Sequence, residues 1–351
     1  MIVQDGRSRG LAAGALLMIL AIFVMAGCGG GGNGGNGNGA ADWQLRVTDL
    51  GTLGGDAGQA LAVNQSGQVV GWSRLPGTDT FHAFLWDNGN MTELGTLEAG
   101  GNSQASGINS QGVICGTSDV AGANQRAFRY AGGQMEDIGA LSPWVNAAAM
   151  DINDAGDIVG DASNHAFIWR DGQIQEMPTP EESGWATAVN SRGTIAGVFW
   201  RADLGASHAF RGTATRAVDL DPAGTSRSWA YGINDAGAVV GCRAEGQYRH
   251  AFIYRRGSMR HIGSLGGNQA EAHGINNDGV IVGFDFAVTQ GGHVVHAFVW
   301  DGAMHDLNDL LDQQSQGWTL VRALAISDNN LIVGHGRNPL GQYRPFLAQP
   351  N

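Results

Sequence analysis

An all-β fold, a seven-bladed β-propeller of four-stranded blades, follows from three observations on the 351-residue chain. One phrase, fullest as Gly232-Ile-Asn-Asp-Ala-Gly-Ala-Val-Val-Gly241, occurs seven times, starting at Ala62, Gly107, Asp151, Ala188, Gly232, Gly274 and Ala325. A second phrase, His82-Ala-Phe-Leu-Trp86, follows each copy, and the six steps from Phe84 to Phe346 cover 262 residues, about 44 each. That period is the length of a four-stranded propeller blade. The composition agrees: 57 glycines punctuate short runs of period two, and no long stretch has helical periodicity.

Each repeat resolves into four strands. The first is Ala-x-(Ala/Gly)-(Ile/Val)-Asn, as in Ala105 to Asn109, and its small side chains suit the crowded centre of a propeller. Asn-x-x-Gly then predicts a tight turn, in which Asn bonds its own backbone and Gly takes a positive φ. The seventh copy has Asn330 where the others have Gly67, Gly112, Gly156, Gly193, Gly237 and Gly279, and Asn tolerates the same geometry. The second strand is Val69-Val70-Gly71 and its equivalents. The third carries the Ala-Phe pair, with Phe expected in the core between blades. The fourth runs Met91 to Gly95, Met135 to Gly139, Met259 to Gly263 and Met304 to Leu307 in four of the copies. The seventh repeat stops after Ala348, whereas Val47 to Gly51 is a fourth strand without a blade, so the N-terminal strand is expected to complete blade seven and remove the exposed edge.

These phrases resemble the bacterial extracellular repeats called the HAF family, through His-Ala-Phe at His82, His165, His208, His250 and His296. The resemblance covers about Val47 to Ala348. Blade two departs with Arg126, blade seven with Arg344-Pro345, and blade four with Ala217 to Leu220 in its fourth strand. The resemblance implies a repeat architecture outside the cytoplasm and names no activity.

Residues 1–27 read as a lipoprotein signal peptide: Arg7 and Arg9 precede an apolar run from Leu11 to Met25, and Met25-Ala-Gly-Cys28 resembles a lipobox. By that resemblance Cys28 carries acyl chains, and Gly29 after it implies sorting to the outer membrane or cell surface in a Gram-negative cell. Residues 28–42 are a Gly/Asn-rich tether, too polar to bury a core. Residues 43–351 form the propeller. The membrane, reached through the anchor, is thus the first expected partner. Nucleic acid is not one, because the chain has a net charge of −12 and no lysine to neutralise phosphates.

Motifs of catalysis are absent: there is no nucleophile elbow, zincin helix or phosphate loop. Neither cofactor nor metal is expected. The repeated histidines belong to separate blades and read as structural groups, and Asp151-Ile-Asn-Asp-Ala-Gly-Asp157 lacks the fifth and twelfth ligands of a calcium loop, at Ala155 and Ala162. The ring Asn64, Asn109, Asn153, Asn190, Asn234, Asn276 and Ser327 reads as turn capping. Asp151, which breaks the Ala/Gly pattern near the channel, reads as an exposed or paired substitution. Cys115 and Cys242 lie on second strands of blades two and five, too far apart for a disulfide.

Variation concentrates on one face. Connections between second and third strands differ, from Asp161–Asn164 to Phe284–Val295, and share that face with the blade linkers. Trp144, Trp185, Trp229 and Trp318, assigned to the linkers, with Arg201, Asp203, Arg243 and Asp285 nearby, are the candidate ligand-binding residues. A glycan or a protein is the expected ligand. The chain is therefore expected to be a monomeric binding or scaffold module at the cell envelope. The alternative is a secreted hydrolase or lyase acting on polysaccharide from the channel or the loop face.

Overall fold

The structure is a computed structural model that describes residues 43–351 apart from Trp144, Glu182, Gln290 and Gly291. The signal segment, Cys28, the tether and Trp144 lie outside the described residues. Seven antiparallel four-stranded sheets are present, and the first strands of successive blades touch round a closed circle. Blade two is typical, with strands Ser103–Ile108, Ile114–Val120, Asn124–Ala131 and Gln134–Asp137 in that spatial order. The fold is thus a seven-bladed β-propeller.

Closure follows the expected route. Leu45–Asp49 pairs antiparallel with Tyr343–Pro350 and completes the sheet of Thr319–Ile326 and Ile332–Arg337. The register is that of the other blades. Asp49 stands opposite Phe346, as Glu93 stands opposite Phe84, Glu176 opposite Phe167 and Asp306 opposite Phe298.

The two repeated phrases meet in one row across each blade. Ala105, Gly116 and Phe128 are successive cross-strand partners, and the same Ala, Gly and Phe row recurs in all seven sheets. All seven phenylalanines are fully buried. The glycine is required sterically: a Cβ on Gly116 would lie 2.7 Å from Phe128 Cζ and closer still to the Gln104 carbonyl oxygen. The inner strand carries a β-bulge just after the alanine in every blade.

The turn face is stapled by asparagine. Asn109 Oδ1 accepts the amides of Gln111 and Val113 within its own turn, at 3.1 and 3.0 Å, while its Nδ2 donates to the Asn153 carbonyl of the next blade, at 3.2 Å. Equivalent bridges run from Asn64 to Asn109, Asn153 to Asn190, Asn190 to Asn234, Asn234 to Asn276 and Asn276 to Ser327. At the closing joint Ser327 replaces the asparagine, and Asn329 Nδ2 reaches the Gln65 carbonyl instead, at 3.1 Å. The ring therefore caps turns, as expected, and also joins blades. Asn330 takes φ 62°, the left-handed conformation of the glycines it replaces.

One expected loop is a hairpin. Most of Phe284–Val295 belongs to two nine-residue strands, Ile281–Thr289 and Gly292–Trp300, because the period-two alternation continues through Phe284, Phe286 and Val288.

Two substitutions test these constraints. Gly116→Ala is expected to cost about 2–4 kcal/mol in urea denaturation, against about 1 kcal/mol for Gly77→Ala, where the added Cβ meets open space and only a positive φ resists it. Leu45→Ala is expected to cost about 2–5 kcal/mol although it stands at the start of the described chain, because Leu45 is fully buried in the closing blade. A loss below about 1 kcal/mol would show that closure contributes little.

Candidate ligand site at the mouth of the central channel

The inner strands set two tiers of partly exposed side chains that alternate with the buried alanines. On the side of the linkers stand Gln59, Gln104, Ala148, Trp185, Trp229 and Arg322, with Glu271 at the same position in blade six. At the bulge below them stand Leu61, Ser106, Met150, Thr187, Tyr231, His273 and Leu324. Repetition fixes their backbone, while side-chain identity varies freely. Blades one to three offer amides and small or aliphatic groups; blades four to seven concentrate aromatic and charged ones.

Three of those groups stack in series with Phe284 of the second strand of blade six. The Tyr231 and His273 rings are parallel, with centroids 4.5 Å apart; Phe284 follows His273 at 5.4 Å; and the Arg322 guanidinium lies 4.2 Å from the Phe284 centroid. Beside the stack, Glu271 is only 3% exposed. It accepts a hydrogen bond from Arg249, whose guanidinium also covers Trp229 at 5.2 Å. His273 Nε2 stands 3.4 Å from Glu271 Oε2, out of hydrogen-bond alignment, so neither atom has a protein hydrogen-bond partner among the described residues. Burial alone would raise the Glu271 pKa, but His273 and Arg249 outweigh it and hold it down to about 2. His335, on the second strand of blade seven, is pushed down to about 3 by burial and by the Arg322 charge.

The sequence-predicted residues are dispersed. Trp185 and Trp229 are not linker residues but second positions of inner strands Gly184–Val189 and Ser228–Ile233, because strand pairing begins one residue before each. Trp318 does precede its strand, and packs against the closing-blade core. Arg201 pairs with Asp203 at 2.7 Å and Asp219 at 3.5 Å; Arg243 pairs with Asp221 at 3.0 Å and Glu245 at 3.6 Å. Asp285 is fully buried and accepts the Leu265 and Phe286 amides, both at 2.7 Å, which makes it a loop cap withdrawn from solvent. Among the described candidates only Trp229 joins the cluster just described.

Other residues resolve into structure. Asp151 bridges blades: its carboxylate accepts its neighbour Ile152 and Val189 of blade four, both at 2.8 Å, and the protein packed round it pushes its pKa up to about 6. Four repeat histidines clamp the fourth strand through a carboxylate ten or eleven residues on: His82 to Glu93, His165 to Glu176, His208 to Asp219 and His296 to Asp306, at 2.5–3.1 Å. In blade five His261 occupies the acid position and stacks on His250 at 4.9 Å. Cys115 and Cys242 are buried and unbridged, with Cys242 Sγ 3.6 Å from the Tyr231 hydroxyl. Glu271, His273, Arg249 and Arg322 were missed by sequence reasoning. Their signal was present, since Glu271 is the one acid at its position in the repeat and His273 stands in phase with neutral residues elsewhere.

No protein-family model matches the chain, and no curated protein sequence does. Solved structures resemble it in fold. An oligogalacturonate lyase from Vibrio parahaemolyticus is 12% identical over 86% of this chain and 93% of its own, with a TM-score of 0.55. A catalytically inactive virginiamycin B lyase from Staphylococcus aureus with quinupristin is 14% identical over 87% and 99%, at 0.53. YCF48 bound to a peptide is 10% identical over 89% and 96%, also at 0.53. Identities this low carry the propeller fold and no shared activity.

The buried imidazole gives a pH test. His335 has a depressed pKa in the folded state, so its contribution to stability is full above its unfolded value near 6.5 and is lost as pH falls towards 3. Subtracting the stability of His335→Phe from that of the natural chain should leave a slope confined to pH 3–6.5, with an amplitude on the order of 3–5 kcal/mol. A flat difference would mean that the imidazole is as easily protonated folded as unfolded.

Proposed function

We propose that this chain is an exported, lipid-anchored binding module of the HAF-repeat type, held at the cell envelope through Cys28 and engaging its ligand with the loop face of the propeller. One observation carries the choice of face. Among the described residues six large hydrophobic side chains are exposed, and five of them stand towards the loop face: Val145 in a linker, Leu340 in a second-to-third connection, and Trp200, Tyr248 and Val294 at the adjoining ends of second or third strands. The sixth, Val218, is on an outer strand. Exposed apolar groups gathered on one face suit a recognition surface. On the opposite face the turns are tied to one another by the asparagine ring and the bridges beside it, such as Ser191 to Asp235 and Asp235 to Asn277. A polysaccharide hydrolase or lyase is the weaker reading. The inner-strand carboxylates Asp151 and Glu271 are three blades apart, and protein groups already engage both.

The anchor and the face are tested in cells. Cys28→Ser should abolish lipid labelling and release the protein from salt-washed membranes, since no helix among the described residues is long and apolar enough to cross a bilayer. A photo-crosslinking amino acid at Tyr248 should capture a partner, whereas the same group at Gln111, on the turn face, should not. Equal capture from both faces would refute the assignment of the face, and a Cys28→Ser protein that stays in the membrane would refute the anchor.

A further inference from the structure

Repetition supplies its own control for function. What the propeller needs at a position can be read from the other six blades, and at the position of Glu271 they carry Gln59, Gln104, Ala148, Trp185, Trp229 and Arg322. No carboxylate is needed there to build a blade. Burying an ionised one costs stability unless it is well paired, and Glu271 still has one oxygen without a hydrogen bond. Its visible effect is local. It holds Arg249 with its guanidinium over the Trp229 ring, while the Arg249 side chain remains 42% exposed.

From this arrangement we propose that the mouth of the channel, at blades four to six, is a saccharide site: Trp185 and Trp229 supply stacking faces, and Arg249, held by Glu271, donates to ring hydroxyls. The proposal rests on the loop face being the binding face and adds the chemical class of the ligand. The two indoles occupy the same position on adjacent inner strands, and both are partly exposed. A pyranose ring has an apolar C–H face and a rim of hydroxyls that both donate and accept, so it matches a flat indole bordered by fixed N–H donors. Gln59 and Gln104 on the same tier offer further donors and acceptors. A nucleotide would also stack, but the net charge of −12 works against its phosphates. A protein partner would meet the rim hydrophobics before these recessed indoles.

The experiment is calorimetric titration of the full chain in detergent with maltohexaose, cellohexaose, chitohexaose and trigalacturonate. At least one should bind saturably. Trp229→Ala should weaken it roughly 30-fold, and Glu271→Gln, which frees Arg249, roughly 10-fold, with Gln111→Ala unchanged. Melting temperature is read for each variant. Should Glu271→Gln fail to fold, Trp185→Ala serves in its place, since that indole has no buried charge to satisfy. Absence of binding by all four at about 10 mM, or unchanged affinity in both tryptophan variants, overturns the saccharide assignment. Tyr248 crosslinking read separately then shows whether the loop-face reading survives without it.

Discussion

The bridge from each turn asparagine to the carbonyl of the next blade is the interaction on which the rest of the molecule depends. One side chain meets two needs: its oxygen satisfies two amides of a tight turn, and its nitrogen ties that turn to its neighbour. These asparagines are buried, so each unmade bond would leave a desolvated polar group. A mixed joint at Ser327, with Asn329 taking over the bridge, is what permits the last blade to meet the first. The N-terminal strand then locks that joint from the outside.

Such a ring uses one face completely and leaves the other unconstrained. Turns on the stapled face keep their first and last residues, Asn and Gly, in six blades, and depart from them only at the closing joint, with Ser327 and Asn330. The inner-strand positions above them, by contrast, keep their backbone through the bulge and the Ala, Gly and Phe row whatever side chain they carry. Variation accordingly accumulates there: Gln on blades one and two, Trp on blades four and five, a buried Glu on blade six and Arg on blade seven. Charge and aromatic area gathered on a rigid support can select a ligand without altering the fold.

The fold was legible because its determinants are local and repeated. Asn-x-x-Gly announces a turn, and the glycine of Val-Val-Gly together with the phenylalanine of His-Ala-Phe marks a cross-strand pair. The site was less legible, because it is made across blades. Arg249 meets Glu271 at 22 residues' separation, and Arg322 meets the Phe284 ring from the following blade. Trp185 and Trp229 were recognised as candidates but placed on linkers, since pattern alone does not show that pairing starts one residue earlier. Asp285 read as a ligand-binding candidate, yet it is buried on the amides of Leu265 and Phe286. The histidine clamps had a visible cue in the acids ten or eleven residues downstream, hidden by the separation of the two phrases.

Native-state hydrogen exchange tests the ring most directly. The amides of Gln68, Val113, Asp157, Thr194, Ala238, Val280 and Leu331 each donate to a ring side chain. If the ring is one cooperative staple, all seven exchange only through global unfolding, with protection free energies within about 1 kcal/mol of each other, while loops 202–205 and 338–342 open locally. Protection that falls off blade by blade, or that is greatest on the loop face, would contradict the account.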